Sequence, residues 1–190
     1  MNQINRREAV KALLRERGQL LVVTGLGAPA YDLASLGDNP LDFPLWGAMG
    51  GAAMLGMGLA LAQPQRDVLV LTGDGEMLMG LGSLATIATQ STQNLHIVVL
   101  DNEAYGETGK QATHTAAGLD LAAVAKACGF PKTSVVTELS QIESARADIH
   151  TGKGLSFTVI KVSAQELPRV LPPRDGPTLT QRMREALQIV

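Results

Sequence analysis

The chain has 190 residues, of which 45% are apolar, 18% charged and only 3% aromatic, enough for one globular domain with its own core. A formal net charge of −2 leaves no basic field to hold nucleic acid or an anionic membrane. So few aromatic rings also argue against a base-stacking surface for single strands.

The opening, MNQINRREAV, is polar and charged, unlike a secretory leader. A helix is expected over Asn5–Arg17, with Val10, Leu13 and Leu14 on one face. Leu20–Thr24 reads as a strand, and Ala48–Ala62 as a helix whose apolar run is broken by glycines and too short to span a bilayer. Asp67–Thr72 is a second strand, Glu76–Thr89 a helix and Leu95–Asp101 a third strand. A helix over Leu119–Cys128 follows, capped by Asp120 or Gly118, then a weaker strand, Thr133–Val136. The single cysteine, Cys128, can form no internal disulfide and reads as a small buried residue. Helix Leu139–Thr151, strand Leu155–Val162, a Pro-rich extended stretch over Pro168–Pro177 and an amphipathic helix Leu179–Ile189 complete the chain. The strands are continuous apolar runs, as expected when both faces are covered. Their alternation with helices predicts an α/β fold, a three-layer doubly wound parallel sheet in a single domain. The domain is expected over 1–165, with 166–190 packing on it or on a partner. These features together predict a cytoplasmic protein with no nucleic-acid or membrane partner.

Several glycine patterns invite a nucleotide reading. Gly25-Leu26-Gly27-Ala28-Pro29-Ala30 follows a strand and fits GxGxxA, the dinucleotide fingerprint. Gly80 to Ala85 fits it equally well inside a predicted helix, so the pattern is weak here. No acidic residue ends a second strand at the right distance, and the Walker pattern is absent.

Gly73-Asp74-Gly75 carries more information. It stands directly after a strand and before a helix, where parallel sheets bind ligands. The glycines let the backbone turn and approach a ligand closely, and the N–H groups from Glu76 onward can meet phosphate. A carboxylate among phosphate oxygens implies a divalent cation between them. Asn102, 28 residues after Asp74, ends the next strand with a neutral amide oxygen. The turn after it can aim a backbone carbonyl, that of Ala104, at the same ion. An all-oxygen set of this kind suits Mg²⁺.

Gly73-Asp74-Gly75 followed by Asn102 resembles the motif of thiamine diphosphate enzymes. Trp46-Gly47-Ala48-Met49-Gly50 is similar to the W-G-S-[IM]-G segment of the decarboxylases among them. By that resemblance, the Gly47 carbonyl accepts a hydrogen bond from the aminopyrimidine, and Met49 bends the cofactor. Asn102 to Gln111, containing Tyr105, Gly106 and Thr108, resembles the YGSTGxQ loop of sulfopyruvate decarboxylase β subunits and phosphonopyruvate decarboxylases, which would close over the diphosphate. The resemblance covers nearly the whole chain. It implies thiamine diphosphate and Mg²⁺ as cofactors, bound by Gly25, Gly47, Met49, Gly73, Asp74, Gly75, Glu76, Asn102, Tyr105, Gly106 and Thr108, with Asp74, Asn102 and Ala104 on the metal.

The same resemblance implies a carboxy-lyase acting on a small 2-oxo acid. Those relatives carry Ser-Arg-Glu after the first strand, where this chain has Ala28-Pro29-Ala30-Tyr31-Asp32. The Arg that would meet an anionic head group is missing, and Lys110 or His114 could replace it. The glutamate that activates the pyrimidine belongs in the family to a different domain, for which this sequence has no room, so no catalytic residue is assigned here. The expectation is a subunit, inactive alone, that pairs with a pyrimidine-binding subunit as αβ or α₂β₂ and could form a homodimer when isolated. An acetolactate-synthase-like carboligase subunit and a non-catalytic thiamine diphosphate-binding module are the alternatives.

Overall fold

The computed structural model describes residues 4–151 and 154–189. Its strands are β1 (Leu21–Thr24), β2 (Asp42–Pro44), β3 (Val68–Gly73), β4 (Leu95–Asp101), β5 (Ala104–Tyr105), β6 (Gln111–Ala112), β7 (Lys132–Val136) and β8 (Ser156–Lys161). Six of them form one sheet in the order β2-β1-β3-β4-β8-β7, with every neighbouring pair parallel. The remaining two, β5 and β6, make a small antiparallel hairpin. The helices are α1 (Arg6–Leu13), α2 (Ala28–Ala34), α3 (Ala52–Ala62), α4 (Asp74–Met79), α5 (Ser83–Gln90), α6 (Leu121–Cys128), α7 (Ile142–His150) and α8 (Gly176–Ala186).

Successive side chains of a strand face opposite sides of the sheet, and both sides are apolar here. Val23, Val70, Ile97, Val99 and Phe157 meet Leu84 and Ile87 of α5 and Leu121 and Ala125 of α6, with α3 beside them. On the other side, Val22, Leu69, Leu71, Val98 and Ile160 meet Val10 and Leu13 of α1, Leu33 of α2 and Ile142 and Ile149 of α7. The predicted three-layer, doubly wound α/β domain is therefore the observed fold. β1 is flanked by β2 on one side and β3 on the other, so strand order reverses at β1/β3, where such sheets open a ligand crevice.

Element boundaries depart from the sequence reading, in two places because the backbone takes left-handed conformations. The helix expected from Ala48 begins at Ala52, because Ala48 (φ 54°) and Gly50 (φ 89°) cannot sit in a right-handed helix. The helix expected over Glu76–Thr89 is two helices, α4 and α5, separated around Gly80–Gly82. The first helix ends at Leu13 rather than Arg17, and Glu16 is left-handed. Of the two caps considered for α6, Asp120 is the one used: its carboxylate accepts from the Ala123 N–H. α8 starts at Gly176, earlier than expected, with Pro177 in its first turn. Strand β2, helix α2 and the β5–β6 hairpin carried too few residues for periodicity to reveal. Cys128 is half-buried at the end of α6.

Residue 4 pairs with Val162 beyond the end of β8, and the Ser163 N–H donates to the Ile4 carbonyl at 2.9 Å. This stitch brings the start of α1 to the carboxyl rim of the sheet. The stretch between β8 and α8 is irregular and is tied down at several points: Arg7 Nη2 donates to the Pro168 carbonyl (2.8 Å), and Trp46 Nε1 to that of Pro173 (3.1 Å). α8 packs on β2, burying Leu179 and Met183, and Arg182 pairs with Asp38. Among the described residues no helix is long and apolar enough to cross a membrane.

Two buried side chains, His96 and Asp42, couple the fold to pH with opposite signs. His96 of β4 is 1% exposed, with Nδ1 2.8 Å from Ser156 Oγ. Burial pushes its pKa down from 6.5 to about 4. Between those values the unfolded chain binds a proton that the native imidazole refuses, so the His96 contribution falls by up to about 3 kcal/mol as pH drops from 6.5 towards 4. Asp42, which burial raises to about 6, takes up a proton in the native state over much of the same window and opposes it. Urea unfolding measured across this range should show the unsubstituted chain losing stability relative to His96→Gln as pH falls, because the variant keeps the Asp42 contribution and lacks the imidazole's.

Candidate functional site at the carboxyl rim

The crevice at the strand-order reversal is a real cleft. It encloses about 640 Å³, mouth included, and is lined by residues from the ends of β3 and β4, from the α2 start and from the 45–51 and 102–108 loops. The in-register pairing of β3 with β4 sets Gly73 opposite Leu100. Asp74 therefore falls beside Asp101, and Asn102, 28 residues after Asp74, comes within reach of its carboxylate at one rim.

Asp74 is 2% exposed. Its Oδ2 accepts from the Thr113 hydroxyl at 2.6 Å, and its Oδ1 from the Asn102 N–H at 3.4 Å. Burial raises its pKa above the ordinary carboxylate range; the Asp101 charge adds to this, while the Thr113 bond opposes it. Asp101 is 1% exposed and accepts from the Thr115 hydroxyl (2.8 Å) and the Glu103 N–H (3.1 Å). Lys161, opposite it on β8, lies 2.8 Å from Asp101 Oδ2 and 2.7 Å from Glu103. Burial pulls the Lys161 pKa down, but these two carboxylates outweigh it and the pKa is raised. Asn102 Oδ1 accepts from the Ala104 N–H at 3.1 Å, which fixes the amide and leaves the oxygen a second lone pair. Thr113, Thr115, Asp101 and Lys161 were not singled out by the sequence, since a threonine or lysine without a motif gives no signal until the fold brings it to a carboxylate.

Of the residues assigned from the sequence, Met49, Gly73, Asp74, Gly75, Glu76, Asn102, Ala104, Tyr105, Gly106 and Thr108 line this cleft. The Tyr105 ring lies where a side chain on Gly75 would be: a Cβ there would come within 2.6 Å of it. Gly25 and Gly47 do not line the cleft. Gly25 is buried behind Glu76, whose Oε2 stands 1.5 Å from the place a Gly25 Cβ would take. Gly47 is exposed, and the left-handed residues Ala48 and Gly50 turn the loop so that Met49 reaches the cleft instead. Glu76 also differs from expectation. α4 begins at Asp74, and the Glu76 side chain turns inward, with Oε1 3.4 Å from the Ala52 N–H and Oε2 unpartnered among the described residues. Burial raises its pKa as well. Lys110 pairs with Glu166 at 2.8 Å and His114 is exposed; neither lines the central cleft.

The Met49 loop is held by backbone contact. A Cβ on Gly80 would come within 2.3 Å of the Gly50 carbonyl oxygen, a backbone atom, so the loop would have to shift to admit it. At Gly58, inside α3, a Cβ would meet nothing within 4 Å.

The fold defines a doubly wound α/β domain with a cleft at its switch point. The chain belongs to the thiamine pyrophosphate enzyme family: the family described as "Thiamine pyrophosphate enzyme, C-terminal TPP binding domain" matches residues 29–162. It is 48% identical over 126 residues to the sulfopyruvate decarboxylase subunit beta of Methanothermobacter thermautotrophicus, covering 65% of this chain and 67% of that one. It is 33% identical to the sulfopyruvate decarboxylase of Methanosarcina acetivorans over 97% of this chain but 47% of the relative. With the phosphonopyruvate decarboxylase of Streptomyces viridochromogenes it shares 38% identity over 80% of this chain and 39% of that protein. The chain thus spans less than half of these last two relatives. In fold it matches benzoylformate decarboxylase from Polynucleobacter necessarius with a TM-score of 0.71 at 21% identity, over 88% of this chain and 35% of that one.

Gly80→Ala should cost about 1–3 kcal/mol through overpacking, whereas Gly58→Ala should be neutral or stabilising by up to about 1 kcal/mol. Urea unfolding separates the two. Emission of Trp46, the single tryptophan, should shift in the Gly80 variant, because the indole belongs to the displaced loop.

Proposed function

We propose that this chain is the diphosphate-binding subunit of a two-component thiamine diphosphate-dependent decarboxylase of a small 2-oxo acid, of the sulfopyruvate and phosphonopyruvate type. The carrying observation is the rim set of Asp74, Asn102 and the 104–108 turn. These groups offer a carboxylate, an amide oxygen and backbone oxygens, the all-oxygen chemistry that suits Mg²⁺. Among the described residues no cluster of three His, Cys, Asp or Glu competes for a softer metal. In this reading Asp74, Asn102 and the Ala104 carbonyl hold Mg²⁺, and Gly73, Gly75, Tyr105, Gly106 and Thr108 surround the diphosphate. Met49, which lines the cleft, would support the bend between the cofactor's two rings.

Bound there, thiamine diphosphate supplies the electron sink that loss of CO₂ from a 2-oxo acid requires. The chain's own part is to bind, orient and desolvate. Thr113 and the Asn102 N–H fix both Asp74 oxygens, so the carboxylate presents one geometry to the cation. Tyr105, packed over Gly75, shields the rim from water. The carboxylates that line the cleft, Asp74, Glu76 and Glu107, lie at its diphosphate end. The acid that activates the pyrimidine is thus expected from a partner subunit, and the relatives named as β subunits support a paired assembly.

The purified chain alone should release no CO₂ from sulfopyruvate, phosphonopyruvate or pyruvate. Co-purified with a pyrimidine-binding subunit, it should turn over at least one of them; high turnover by the single chain would refute the two-subunit reading. Asp74→Ala should abolish Mg²⁺-dependent binding of thiamine diphosphate to the assembled enzyme, read by calorimetry. Survival of that binding would remove Asp74 from the metal.

A further inference from the structure

The segment that lacks the relatives' arginine does something else in this chain. It forms α2, and its Asp32 is fully buried between two arginines of α1. Asp32 Oδ2 accepts from Arg6 Nε, and Oδ1 lies 3.3 Å from Arg7 Nε. Arg7 is spent structurally, since its Nη2 binds the Pro168 carbonyl. Arg6 is not. Its side chain is only 9% exposed, yet among the described residues its Nη1 and Nη2 make no hydrogen bond, and it lines the central cleft together with Asp74, Asn102, Ala104 and Gly106.

Nη1 and Nη2 carry four N–H donors that no protein acceptor among the described residues takes, and an anion in the cleft would complete them. The charges lining the cleft sharpen the point. Among the described residues they are three carboxylates, Asp74, Glu76 and Glu107, and one cation, Arg6. A diphosphate brings more negative charge than one Mg²⁺ cancels, especially beside Asp74. Arg6 is the group in place to take the remainder, and a fork clamped at Nε by Asp32 presents its outer nitrogens to a phosphate with little ordering cost.

We propose that Arg6 is a diphosphate-binding residue of this site, positioned by Asp32, with its Nη1 and Nη2 gripping the phosphate oxygens that Mg²⁺ leaves free. The proposal rests on the thiamine diphosphate reading above. It assigns the cleft's one guanidinium to the cofactor rather than to the acid group of the substrate, because the residues around Arg6 in the cleft are the metal and diphosphate residues.

Calorimetry on the full chain with its partner subunit and Mg²⁺, using thiamine diphosphate and inorganic pyrophosphate as separate probes, tests this. Arg6→Gln should weaken both by roughly ten- to hundredfold, the worth of charge-assisted hydrogen bonds. Arg6→Lys, which keeps the charge beside Asp32 but loses the fork, should fall between. Where a variant does not fold, the Nε–Hε NMR signal of Arg6 in the unsubstituted chain carries the test, and it should shift when Mg²⁺-pyrophosphate is added. Unchanged affinities in the variants, or an unmoved signal at saturation, overturn the proposal. So does unchanged cofactor affinity with a raised KM for the 2-oxo acid, which would hand Arg6 to the substrate. An unsubstituted assembly that binds neither probe removes the site reading and Arg6 together. One that binds both while Arg6 variants match it removes Arg6 alone.

Discussion

Two carboxylates that end neighbouring strands, Asp74 and Asp101, are both buried, and the site depends on how their charge is held. Adjacent parallel strands lie only about 5 Å apart, so this register would be repulsive if left bare. Thr113 and Thr115, two residues apart on the segment after β6, each give their one hydroxyl proton to a different carboxylate. Lys161 neutralises Asp101 from the far side. Asp101 thus has a cation within ion-pair distance, whereas among the described residues none pairs with Asp74, whose pKa burial raises. In the function proposed above, a cation at the rim would offset that imbalance.

Close backbone approach around the cleft does the rest of the positioning. Gly25 leaves room for a carboxylate, Gly75 for an aromatic ring, and Gly50 and Gly80 for each other. These contacts tie three loops to α4 and its C-terminal cap. Ala48, in a left-handed conformation that costs an L-residue about 1–2 kcal/mol, is held there by the loop, and Met49 reaches the cleft as a result.

The layers of the fold were legible because β1, β3, β4 and β8 are unbroken apolar runs, and runs of that kind occur where both faces are covered. Asp74 and Asn102 were legible because each follows such a run directly. The short elements were not: a three-residue strand such as β2 has no period, and α2 hides behind a Gly-Pro context. Glycine roles were only partly legible. GDG and the segment after Trp46 identified the right loops, but nothing in the sequence says that Gly25 faces Glu76 rather than a ligand. Arg6 was the largest omission. It sits in an ordinary charged helix start, NRRE, and the pairing of residue 4 with Val162 is a long-range event that brings it to the rim.

Helix α8, packed on β2 with Arg182 clamped to Asp38, also has a bearing on solubility. An open strand edge invites strand addition from another molecule. At one end of this sheet the edge strand is three residues long and lies under a helix. At the other, β7 is preceded by Pro131 and begins with Lys132, which pairs with Asp148; proline and lysine are features that discourage such pairing. The domain therefore carries its aggregation safeguards at both margins, and the last helix guards one of them.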